Sequence, residues 1–108
     1  MKNTTPSKFT ATFPTEAKVV GKRYAIQYLE DIGTQGDCNN QKQVIRVEKG
    51  NALEQEQDTV LHEILHAVDY AMQTKLKEAQ VAALATGLLA VMKENPVLME
   101  YLLGRPCL

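Results

Sequence analysis

The 108-residue chain contains no tryptophan, only two phenylalanines and only two histidines. Neither sign of charge dominates, because 12 lysines and arginines stand against 13 aspartates and glutamates, for a formal net charge of −1. This balance excludes a strongly basic nucleic-acid binder and gives no overall attraction to anionic membranes. We therefore expect no nucleic-acid partner.

Long apolar runs are also missing. The longest stretch without a charged residue, residues 79–92, is interrupted by Gln80, Thr86 and Gly87. It is shorter than the roughly 18 apolar residues that predict a membrane span. Residues 1–7 are polar and lack the apolar core of a signal peptide. From these absences we expect no membrane association.

Cysteine is scarce, because Cys38 and Cys107 are the only two and lie far apart in the sequence. A small secreted domain usually carries a denser set of disulfide-forming cysteines. We therefore predict a cytoplasmic protein with reduced thiols. The length allows one small domain, which we expect to span residues 1–108 with flexible tails at about 1–7 and 104–108.

The first half of the chain has the alternation and turn residues of strands and loops. Apolar and polar side chains alternate over residues 8–14 and again over 18–29, which predicts two strands. A segment rich in Gly and Asp at 31–37 predicts a loop, and residues 44–47 predict a further strand. Because the link is short and rich in turn residues, we expect the strands on either side of it to be antiparallel.

The second half has helical periodicity. Apolar residues recur three and four apart over residues 53–72, which predicts a first helix capped by Asn51 or Asp58. A second amphipathic segment must end before Pro96, because the residue before proline disfavours helix, and residues 97–103 predict a short third helix. Strands followed by helices indicate an α+β fold, with a small antiparallel or mixed sheet packed on two main helices.

Both histidines belong to one pattern on the first predicted helix, His62-Glu63-Ile64-Leu65-His66, which is an HExxH motif. Successive helical residues turn by about 100°, so His62 and His66 share one face and can ligate one metal ion. Glu63 lies beside that face, where a general base is needed. Two histidines placed at random take this spacing, with Glu after the first, in about 0.2 % of cases. We interpret the pattern as a metal site.

A catalytic zinc site needs a third protein ligand and one open position. Glu78, at the start of the second helix, is favoured, because antiparallel packing brings it to the metal face and a second helix suits tetrahedral geometry. Asp69, three residues after His66, is the alternative ligand or a group that orients one. Cys38 is a chemically suitable ligand, but a single loop cysteine is more often structural. Four tyrosines are candidates to stabilise an oxyanion, namely Tyr24, Tyr28, Tyr70 and Tyr101. The default interpretation of each is a packing residue.

Residues 59–66 resemble the compact HExxH metallopeptidase-like proteins of phages and prophages that are related to the ImmA/IrrE family of zincins. The likeness extends from about residue 19 to 96, as a strong motif at HExxH and a looser pattern of apolar positions elsewhere. It implies a minimal zincin-like fold with one Zn²⁺. It also implies the site residues, with His62, His66 and Glu78 as metal ligands and Glu63 as general base. The larger members cleave regulatory proteins such as repressors.

We therefore expect a zinc-dependent metallopeptidase acting on a protein or peptide, with Glu63 activating a water and the strand at 44–48 aligning an extended substrate. The alternative is a non-catalytic, phage-encoded regulator that binds another protein, with zinc structural or absent, because few residues remain to build a deep specificity cleft. An open coordination position favours the peptidase. A closed four-ligand site, with Cys38 added, favours the regulator.

Overall fold

A computed structural model of the chain, described for residues 13–104, consists of a four-stranded mixed sheet followed by three helices. The elements are β1 (Glu16–Val19), β2 (Lys22–Leu29), β3 (Gly36–Asn39), β4 (Val44–Glu48), α1 (Leu53–Met72), α2 (Glu78–Glu94) and α3 (Pro96–Leu103). This architecture confirms the predicted α+β class with its small sheet and two main helices.

Three predictions concern residues outside the described range. The strand predicted at 8–14 lies there, apart from Phe13 and Pro14, which belong to no strand. The tails predicted at 1–7 and 104–108 also lie outside it, except for Gly104 at the end of α3. Cys107 is likewise not described.

The single strand predicted over residues 18–29 is two strands joined by a tight turn. Val20 and Gly21 both have positive φ, 47° and 85°, as the common two-residue turns between twisted antiparallel strands require. β1 and β2 therefore form a hairpin in which Val19 lies opposite Lys22. The prediction was wrong here because the apolar Val20 extends the strand pattern through the point where the backbone reverses.

β2 and β4 are neighbours, but they are parallel rather than antiparallel as predicted, with Ile26 opposite Ile45. The reason lies in the segment predicted as a loop. It contains β3, which forms an antiparallel hairpin with β4, Gly36 lying opposite Val47. The chain thus reverses twice between β2 and β4 and returns to its original direction. The sheet order is β1-β2-β4-β3, with β3 at an edge.

α1 lies across one face of the sheet and covers the core. Alternate residues of the two central strands, Tyr24 and Ile26 in β2 and Ile45 and Val47 in β4, are no more than 3 % exposed. Ala67 of α1 is completely buried and joins the same cluster. A methyl side chain at that position keeps the helix close to the sheet. The alternation predicted within β2 is therefore confirmed, and so is the strand predicted at 44–47.

The ends of the helices fix how they follow one another. α1 begins after Ala52, with no side-chain cap, so neither predicted cap was right. Asn51 donates to the Glu48 carbonyl instead, and Asp58 lies inside the helix. α2 ends before Pro96 as predicted, and the predicted third helix is present at an angle of 101° to it. No single helix within residues 13–104 has the length and apolar character needed to cross a membrane.

Candidate metal centre

α1 and α2 face each other along two rows of residues spaced four apart. The rows are Asp58, His62 and His66 on α1, and Glu78, Ala82 and Thr86 on α2. At one end the Thr86 hydroxyl donates to Asp58 Oδ2 at 3.0 Å, and at the other end Glu78 contacts the histidines. The helices therefore run antiparallel, as we expected from the short link between them.

Glu78 brings its two carboxylate oxygens to the two imidazoles. Oε2 lies 2.6 Å from His62 Nε2, and Oε1 lies 2.8 Å from His66 Nε2. The two ring centroids are 5.0 Å apart, and one ligand atom from each of the three residues lies within 4.8 Å of the others. These three side chains could hold a metal ion. Two imidazole nitrogens and a carboxylate oxygen are a donor set that suits zinc.

Asp69 is used to close the link between α1 and α2. Its Oδ1 accepts a hydrogen bond from the Leu76 amide at 2.9 Å and another from the Thr74 hydroxyl. These hydrogen bonds hold the pKa of the Asp69 carboxyl below its usual value. Asp69 is not part of the three-residue group. Because Leu76 is two residues before Glu78, the Asp69 carboxylate orients the start of α2 and so positions Glu78.

Glu63, the predicted general base, lies beside His62 on the side of α1 that faces β3, and it is only 6 % exposed. Burial raises the pKa of its carboxyl, while the neighbouring His62 and His66 act in the opposite direction. A carboxylate with a raised pKa accepts a proton more readily than one in water. Its surroundings therefore fit the role that the sequence predicted for it.

Gly36 allows β3 to approach α1 at this point. A Cβ added to Gly36 would lie 2.5 Å from Thr59 Cγ2, 3.0 Å from the Arg46 carbonyl oxygen and 3.4 Å from Glu63 Cγ. The first of these distances is shorter than any real Cβ contact, so only glycine fits. Sequence analysis did not single out Gly36. A glycine in a strand that approaches another backbone closely is the signal that could have found it.

A cleft of about 690 Å³ lies between the two helices and the edge strand β3. His62, Glu63, His66 and Glu78 line its helical side, and Gly36 to Cys38 line its strand side. None of the four candidate tyrosines lines the cleft, and two of their hydroxyls have partners elsewhere: Tyr24 donates to Asn40 Oδ1 and Tyr28 to the Pro14 carbonyl. Tyr24 and Tyr28 pack in or against the core as the default interpretation expected, whereas Tyr70 and Tyr101 are 50 % and 78 % exposed.

Asp37, on β3, lies at the rim of the cleft and is paired with a cation. Arg46 on the adjacent β4 donates from Nε to both of its carboxylate oxygens, at 2.9 and 3.1 Å. The Arg46 guanidinium lowers the pKa of the Asp37 carboxyl. This carboxylate is therefore ionised and already compensated by its neighbour, which leaves the three-residue group as the place for a metal ion.

Cys38 lines the same cleft, but it lies outside the group that could hold a metal. Its thiol lies 3.4 Å from Asn40 Oδ1, to which it donates. Burial, together with the negative charges of Glu63 and Asp37, raises the pKa of the Cys38 thiol to about 11. The position of Cys38 outside the converging group disfavours it as a ligand.

Comparisons of the chain with models of protein families, with curated proteins and with solved structures found no match. Fold and site together define a small α+β protein with a candidate metal centre on two antiparallel helices. The relation to the ImmA/IrrE zincins rests on the HExxH motif and the pattern around it, and it stays a prediction.

Proposed function

We propose that the protein is a zinc-dependent peptidase that hydrolyses a peptide bond in a protein or peptide substrate. The observation that carries this proposal is the convergence of His62, His66 and Glu78 at the wall of a cleft that the buried Glu63 also lines. Three protein ligands beside open space are typical of catalytic zinc sites, whereas structural zinc sites are closed by four.

The donor set supports zinc as the metal. Both imidazoles are partly buried, and Glu78 places an oxygen within 2.8 Å of each, so a cation there would be held from two helices. The chemistry that zinc supplies when bound is Lewis acidity toward a carbonyl oxygen and a pKa of about 7 for a coordinated water.

Glu63 is the residue that moves the proton in this proposal. It accepts a proton from the attacking water and gives it to the amine of the departing peptide. Its burial supports this role, because a carboxylate shielded from water has a pKa closer to that of its proton donor. The adjacent position on α1 keeps it beside His62 without making it a ligand.

The substrate would lie along β3. Sequence analysis predicted that the strand at 44–48 aligns the substrate. That prediction was wrong, because β4 is paired on both sides, with β2 and with β3. β3 is at the edge of the sheet and lines the cleft beside Glu63. An extended peptide can add to such an edge through backbone hydrogen bonds.

The test combines metal content with cleavage. The purified protein should bind one equivalent of zinc and should cut members of a synthetic peptide library, detected by mass spectrometry. Glu63→Gln should retain the zinc and lose about 100-fold or more of the activity. Glu54→Gln, an exposed position on the same helix, is the matched control and should behave as the parent. A Glu63→Gln protein that cleaves as fast as the parent refutes the mechanism.

The alternative, a non-catalytic regulator on the same scaffold, needs a closed or absent metal site. Its expected fourth ligand, Cys38, lies outside the group that could hold a metal ion. This observation favours the peptidase. A protein that holds zinc tightly and cleaves no library peptide would support the regulator instead.

A further inference from the structure

α3 is an apolar helix that buries none of its own side chains. Six of its eight residues are large hydrophobics, namely Val97, Leu98, Met99, Tyr101, Leu102 and Leu103. Among the described elements it packs only on α2. A helix of this length is marginal in water and depends on tertiary packing of its apolar side. Within residues 13–104, α2 is therefore the only element that packs on α3.

The exposed side chains of α3 extend onto α2 and form what we call the elbow face. It consists of Leu84, Leu88, Val91, Met92, Val97, Leu98, Tyr101, Leu102 and Leu103, which are 36–78 % exposed. Each of these side chains exposes on the order of 100 Å². Together they present on the order of 800–900 Å² of apolar surface, more than the few hundred Å² usual on a monomer. This is also the area that each partner contributes to a standard protein interface.

The charges around the elbow face decide between a membrane and a protein as its partner. No charged residue occurs over residues 79–92, and the charges that follow in the sequence are Lys93, Glu94, Glu100 and Arg105. Lys93 donates a hydrogen bond to the neutral Gln57 side chain on α1. Helices that lie on membranes carry a polar face rich in Lys and Arg, and a border with as many acidic as basic residues disfavours a lipid surface.

We propose that the elbow face is a two-fold symmetric interface occupied by a second copy of this chain. A second copy offers an apolar surface of equal size. Its border carries both signs, so Lys93 of one protomer can lie near the acidic residues of the other across a two-fold axis. This interface covers the side chains of α3 that the described part of the chain leaves exposed.

The dimer leaves the candidate metal centre accessible. Ala82 and Thr86 of α2 line the cleft, whereas Leu84 and Leu88, two residues further along, lie about 200° away around the helix. The elbow face and the cleft are therefore on opposite sides of α2. Dimerisation and metal binding are independent properties, and each can fail without the other.

Two variants of the full chain test the interface, Leu88→Glu on α2 and Leu102→Glu on α3, with mass measured by light scattering and sedimentation from about 1 to 100 µM. Leu102 cannot disturb the core, because α3 buries no residue. The parent should have twice the 12.0 kDa mass of one chain, and both variants should have the mass of a single chain. Circular dichroism establishes that the variants retain their helices.

The matched control is Val20→Glu, which replaces an equally exposed apolar residue (58 %) in the β1–β2 turn and should remain a dimer. A parent that is monomeric over the whole range overturns the proposal, as do variants that stay dimeric. A monomeric parent that sediments with vesicles of phosphatidylcholine and phosphatidylglycerol would overturn it in favour of a membrane.

Discussion

The Glu78 carboxylate lies 2.8 Å from His66 Nε2, although twelve residues separate them in the sequence. The distance depends on the link between the helices. Gln73 ends α1 in the left-handed conformation, and Asp69 accepts hydrogen bonds from Thr74 and Leu76. α2 therefore begins at the level of the second histidine, and its first residue completes a three-residue donor group.

This arrangement predicts different effects for two acidic residues on zinc affinity. Glu78→Gln removes a ligand and should weaken zinc binding by about 100-fold or more. Asp69→Ala removes only the acceptor that orients the link, and should weaken binding by about 10-fold. Competition titration with a chromophoric chelator measures both. Glu94→Gln at the far end of α2 should leave the affinity unchanged. Equal losses for Asp69→Ala and Glu78→Gln would contradict a merely orienting role for Asp69.

The parts of the fold that sequence analysis found depend on local patterns. The HExxH spacing on α1, the end of α2 before Pro96 and the proximity of Glu78 all follow from helix geometry and a short link. The parallel pairing of β2 with β4 could not be found in this way, because it depends on β3, whose polar residues resemble a loop. The need for glycine at position 36 could not be predicted either, because it depends on the contact between β3 and α1.

Gly36→Ala should lower the free energy of unfolding by about 1–3 kcal/mol, because the new methyl group meets Thr59 and the Arg46 backbone. Gly87→Ala is the matched control. Gly87 lies within α2 with nothing within 4 Å of an added Cβ. Gly87→Ala should therefore raise the free energy of unfolding by about 0.5–1 kcal/mol. Urea denaturation followed by circular dichroism measures both. Equal effects of the two substitutions would contradict the close contact at Gly36.

Val20→Asn should stabilise the protein by about 1 kcal/mol. Val20 has a φ of 47°, a left-handed conformation that is strained for a β-branched residue and well tolerated by asparagine. The side chain is 58 % exposed, so little packing is lost. Val20→Thr keeps the branched Cβ and should give no gain. If both variants unfold at the same denaturant concentration, strain at Val20 does not limit stability.

The Cys38 thiol should react slowly with iodoacetamide. Burial, then Glu63 and Asp37, raise its pKa from 9.0 to about 11, so at pH 8 the reactive thiolate is about 100-fold scarcer than in the unfolded chain. In a Cys107→Ser background, alkylation of the native protein should be slower by that factor than alkylation in urea. The rate should rise with pH until the thiol ionises. Equal rates in the native and unfolded states at pH 8 would contradict the shift.

The same shift predicts a pH dependence of stability. A thiol with a higher pKa in the folded state favours folding while it is protonated. That contribution is complete below pH 9, the pKa in the unfolded chain, and is lost as the pH rises toward 11. Unfolding free energies at pH 8 and pH 10.5 should therefore differ more for the Cys107→Ser protein than for the same protein with Cys38→Ala. An identical pH dependence for both would mean that Cys38 titrates in the native state as it does in the unfolded chain.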